Sequence, residues 1–148
     1  MQRIFTFSVL LALAATMVIA ADPPLMDGVS GAPVSWSDWL PRKGPVAVLV
    51  WASWAPDAEE VMDDYDQLAA ACTDAGLHLI ILDVQESLED ARTALGPRGV
   101  TWIHDRHGAL LKTYRVIEVP SILVLSADNE TLGKTGPTSE AVYEWRNP

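Results

Sequence analysis

The chain has 148 residues and carries 20 Asp and Glu against 10 Lys and Arg, a formal charge of −10. That length accommodates one domain with a full core, and so acidic a chain is repelled by phosphate backbones, which excludes nucleic acid as a partner. The single cysteine, Cys72, excludes an internal disulfide, a CxxC redox pair and any metal or cluster site built on several thiolates.

Residues 1–20 read as a secretory signal. Arg3 supplies a positive start, Ile4 to Ala20 is an almost unbroken apolar run, and Val18-Ile19-Ala20 offers the cleavage point before Asp22-Pro23-Pro24. The same run is long enough to act instead as an uncleaved anchor. The expected localisation is therefore exported and periplasmic, with membrane contact only if this segment is retained. Residues 21–33, rich in Pro and Gly, read as a flexible lead-in, which leaves 34–148 as the folded domain.

Within that domain, Val34 to Leu40 reads as a short strand edge and a helical turn, and Pro41-Arg42-Lys43-Gly44-Pro45 as a turn. Val46 to Trp51 is a continuous apolar run, the pattern of a strand buried on both faces. Ala52 to Ala55 is a loop, and a helix follows, with Pro56 suited to its first position and Asp57, Glu59 and Glu60 to its positive end. Val61, Met62, Tyr65, Leu68, Ala69 and Cys72 recur at helical spacing and form its buried face; Gly76 ends it. Strands are expected at Leu77 to Asp83, Val100 to His104 and Ser121 to Leu125, with an edge strand at Thr131 to Lys134. Helices are expected at Ser87 to Leu95, Ala109 to Arg115 and Ser139 to Arg146. This alternation predicts an α/β fold, a mixed central β-sheet flanked by helices. Trp54 to Ala58 falls where a strand hands over to a helix, the usual place for chemistry in open α/β sheets.

Gly44-Pro45-Val46-Ala47-Val48-Leu49-Val50-Trp51-Ala52-Ser53-Trp54, followed by Ala55-Pro56-Asp57-Ala58, resembles the active-site region of the TlpA/ResA-like thioredoxins. These are exported proteins whose motif runs approximately W-A-S-W-C-P-P-C. The resemblance continues through Tyr114 to Pro120, where that family carries a cis-proline, and into Ser121 to Leu132, its final hairpin. It implies a thioredoxin-like fold over Val34 to Gly136. It also implies that Ala55 and Ala58 stand where the family has its two cysteines. Thiol–disulfide exchange needs one thiolate to attack and a second thiol to resolve the mixed disulfide, so no catalytic residue, cofactor or metal is assigned. What the resemblance leaves is the groove in which active relatives hold extended polypeptide. Its candidate residues are Trp54, Ala55, Pro56, Asp57, Ala58, Val119 and Pro120, and its expected occupant is a protein or extended peptide partner.

Three other features carry alternatives. Cys72, in the apolar stripe, is either a small buried hydrophobe or the centre of an oxidoreductase acting through it or through a partner's cysteines. His104 and His107 form an H-x-x-H read as solvated turn histidines, the alternative being a metal-handling accessory factor. The helix from Asp57 to Asp74 holds seven acids and no base. It is a solvated face, a weak divalent-cation site or a docking surface for a basic partner.

Overall fold

The computed structural model describes residues 24–39 and 44–147. The signal segment, Pro41 to Lys43 of the expected turn and the last residue of the domain lie outside these. Among the described residues there are seven strands: β1 (Leu25–Asp27), β2 (Pro33–Val34), β3 (Val46–Trp51), β4 (His78–Val84), β5 (Trp102–Asp105), β6 (Ser121–Leu125) and β7 (Thr131–Thr135). They form one sheet in the order β2-β1-β5-β4-β3-β6-β7. β3, β4 and β5 run parallel, and the outer strands join antiparallel. The helices are α1 (Trp36–Trp39), α2 (Ala58–Asp63), α3 (Tyr65–Asp74), α4 (Leu88–Leu95), α5 (Ala109–Tyr114) and α6 (Ser139–Arg146).

The middle of the sheet follows from hydrophobicity alone. All six residues of β3 are buried, as expected for a strand covered on both faces, and β4 is buried after His78. The parallel register sets Trp51 beside Asp83 and Asp83 beside His104. Residues paired in register point to the same face, so these three side chains share one. α4 and α6 begin on side-chain caps: the hydroxyls of Ser87 and Thr138 accept hydrogen bonds from the backbone N–H groups of Asp90 and Ala141. α6 lies against α3, where the Tyr143 hydroxyl meets the Asp74 carboxylate at 3.1 Å.

Two expectations are corrected. The stretch 21–33 is not a lead-in over its described part. β1 and β2 pair with each other, and β1 pairs with β5, burying Leu25. The ordered fold therefore begins by Leu25 instead of at Val34. The helix expected from Pro56 starts at Ala58 instead, because Asp57 is left-handed (φ 57°). It is also two helices, broken where Asp64 leaves helical geometry (φ −91°, ψ 8°). The buried stripe survives that break: Val61, Met62, Leu68 and Cys72 are buried, with Tyr65 and Ala69 packed beside them.

Candidate functional site

The loop between β3 and α2 is fixed from both sides. Below it, Trp51 Nε1 donates to the carbonyl oxygen of Ala58 at 2.9 Å, tying the end of the strand to the start of the helix. Above it, the segment after β4 holds it down. Ser53 N–H donates to Glu86 Oε1 (2.8 Å), the Ser53 hydroxyl donates to the same carboxylate, and Trp54 Nε1 donates to the Gln85 carbonyl oxygen (3.2 Å). Ala55 and Ala58 are buried beneath this lattice, and Pro56 and Asp57 are exposed.

Of the seven residues expected to form a groove, Trp54 and Val119 come together. They line a depression of about 500 Å³ with Gln85, Leu111, Lys112, Arg115, Val116 and Ile117. The Val119–Pro120 peptide is cis, and both residues are half-buried. Ala55, Asp57 and Ala58 face elsewhere, into a shallower depression of about 500 Å³ that also contains Ser53, Glu59, Glu60 and Asp63. Pro56 and Pro120 belong to neither lining. The residues on the far wall, Lys112 to Ile117, were not expected. They lie some 60 positions from Trp54, and the only signal in the sequence was the polar face of a short helix.

The expectation of solvated turn histidines is corrected at His104. His107 is exposed. His104 ends a strand in the core, with Nδ1 2.6 Å from Asp83 Oδ2 and both side chains fully buried. Asp83 Oδ1 and His104 Nε2 have no hydrogen-bond partner. Burial pushes the Asp83 carboxyl far above the usual carboxylate range, and the carboxylates of Glu86 and Asp105 push it further. Burial pulls His104 below its ordinary value, aided by Arg106 and Arg92 and opposed by Glu86 and Asp105. The pair thus holds one titratable proton on the acid and keeps the imidazole neutral. Asp105, also buried, accepts hydrogen bonds from the N–H groups of Ala109 and Leu110 and so starts α5. Among the described residues no three His, Cys, Asp or Glu side chains converge as a metal ion requires.

Cys72 is fully buried on α3, and burial pushes its thiol up to about 11. In the folded protein it should be modified by a thiol reagent about a thousandfold or more slower than in urea, because reaction waits on opening of the core. Labelling followed by mass spectrometry measures this, and rapid native labelling would show that the thiol is accessible.

No family model matches the chain. It is 25% identical over 129 residues to sporulation thiol-disulfide oxidoreductase A of Bacillus subtilis (strain 168), covering 82% of this chain and 76% of that protein. The structure superposes on the crystal structure of StoA from Bacillus subtilis with a TM-score of 0.62 at 20% identity, over 82% of this chain and 93% of the other. The fold is thioredoxin-like. A second solved structure agrees, the exposed lipoprotein thioredoxin of Streptococcus pneumoniae, with a TM-score of 0.62 at 18% identity over 85% and 98% of the two chains. The similarity to StoA supports the resemblance to TlpA/ResA-like thioredoxins. The protein is thus related to the thioredoxin-like thiol-disulfide oxidoreductases, with one cysteine and no CxxC.

Proposed function

We propose that this protein is an exported, redox-inactive member of the TlpA/ResA-like thioredoxins that binds a protein or extended peptide partner in the groove beside Trp54, Val119 and Pro120. The observation that carries this reading is the pair of alanines at 55 and 58, one in the loop after β3 and one opening α2, where relatives by resemblance hold their thiols. Alanine can neither attack a disulfide nor resolve one. Cys72 does not substitute, since it sits in the core with its thiol proton tightly held. The groove's shape and half-exposed tryptophan need no cysteine. Export is supported by the apolar first segment and by the likeness to an exposed lipoprotein.

In an insulin-reduction assay the purified protein should show no turnover above background. Turnover abolished by Cys72→Ser would replace this reading with an oxidoreductase acting through that thiol.

A further inference from the structure

The two depressions flanking the loop at Trp54 have opposite charge. The one beyond Ala55 contains Asp57, Glu59, Glu60 and Asp63 and no base. The groove on the other side contains Lys112 and Arg115 and no acid. In a chain of charge −10 this is a local reversal. Of the seven Lys and Arg side chains among the described residues, four (Arg106, Lys112, Arg115 and Lys134) fall between positions 106 and 134. Those elsewhere are engaged: Arg92 donates to the carbonyl oxygens of Gly28 and Val29, Arg98 pairs with Asp63, and Arg146 donates to the Asp74 carbonyl oxygen. Lys112 and Arg115 form no ion pair among the described residues.

The groove also leaves apolar surface in water. Ile117 is 92% exposed and Trp54 53% exposed, and both line it. The wall that presents Ile117 is held in place. Arg115 closes α5 in the left-handed region (φ 52°), and Lys134 Nζ donates to its carbonyl oxygen at 2.6 Å. Exposed large apolar side chains beside unpaired cations ask for a ligand that is apolar and anionic together. Glu118, next in the chain, is exposed and outside the lining.

We propose that the groove between Trp54 and Ile117 selects an extended peptide segment in which apolar side chains flank a carboxylate, the carboxylate lying against Lys112 and Arg115. This deepens the peptide-binding reading and rests on it. Positive charge on the ligand is repelled here, so a basic partner of the acidic helix would belong on the opposite side of the Trp54 loop.

The experiment is a nitrogen-15 NMR titration that follows the Trp54 indole N–H, assigned with Trp54→Phe. The probes are three blocked peptides, acetyl-Gly-Leu-Glu-Leu-Gly-amide and its Gln and Lys counterparts. The Glu peptide should bind about fivefold more tightly than the Gln peptide and at least about tenfold more tightly than the Lys peptide at low salt, the scale of two exposed charge pairs. The preference should shrink in 0.5 M salt, where such charges are screened. It should vanish in the variant Lys112→Gln with Arg115→Gly, the glycine suiting the left-handed position. Equal binding of all three peptides at Trp54 would overturn the charge selection and leave the groove reading standing. No shift at Trp54 with any peptide would overturn both. A shift with protein concentration alone would assign the groove to a second copy and overturn the proposal.

Discussion

Raising the pH from 6.5 to 9 should destabilise the protein by about 3 kcal/mol, a slope approaching 1.4 kcal/mol per pH unit. The source is the buried pair of Asp83 and His104. In the unfolded chain Asp83 is an ordinary carboxyl, ionised well below pH 6.5, and His104 an ordinary imidazole. In the folded chain Asp83 is raised and keeps its proton, and His104 is lowered and stays neutral. Between the two unfolded values, about 4 and 6.5, both states hold one proton on the pair, so its contribution is flat. Above 6.5 the unfolded histidine also loses its proton while the folded pair retains one. Folding then takes up a proton, and stability falls as pH rises. Below about 4 the unfolded chain binds a second proton that the folded core resists, and stability falls again. Cys72, raised to about 11, adds a slope of the same sign as the unfolded thiol begins to ionise, so the pair must be isolated by substitution. Asn at position 83 can donate its amide N–H to His104 Nδ1 with no proton to titrate. Urea titrations across this range should therefore give a much flatter curve for Asp83→Asn. An unchanged slope would mean that the pair ionises freely and that its burial has no electrostatic consequence.

Gly28→Ala should cost about 2 kcal/mol, a large effect for one methyl group. A Cβ at this position would lie 2.2 Å from the ring of Trp102, itself buried in β5. The collision has little room to relax. Gly28 N–H donates to the Trp102 carbonyl oxygen at 2.9 Å, and Arg92 Nε donates to the Gly28 carbonyl oxygen at 3.1 Å, so the glycine is clamped between β5 and α4. A loss below about 0.5 kcal/mol at Gly28 would mean that β1 does not dock on Trp102 and that the fold begins after it.

What the sequence disclosed and what it withheld divide along a physical line. β3 and β6 were legible because a run of six or four apolar residues has few other uses. β1 was not, since Leu25-Met26-Asp27 is too short to show a period, and its strand geometry comes from pairing with β5, a partner about 77 positions away. The helix start was misplaced by two residues because Pro56 fits a first turn in isolation, yet Asp57 takes up the left-handed conformation that turns the chain into α2. The candidate site was half visible. Trp54 and Val119 were found from motif resemblance, but the basic wall opposite them becomes meaningful only once α5 is packed. His104 looked like a turn residue because its neighbours Asp105, His107 and Gly108 are polar or small. Alternation with Trp102, which faces the same side of β5, was the available clue that it points inward.

The sheet order described above has β2 and β7 at its margins, and each is a poor template for further growth. β2 is two residues long and opens with Pro33, which has no N–H to offer a neighbouring strand. β7 is longer but carries Lys134, and next to it Gly133, whose missing side chain leaves room for the Trp145 indole. A charge on an edge strand resists being drawn into a dry stack, and a glycine inside one weakens its pairing. A protein whose interior depends on no disulfide, and which presents apolar surface at Trp54 and Ile117, therefore keeps its backbone edges closed to polymerisation while leaving those side chains open to a ligand.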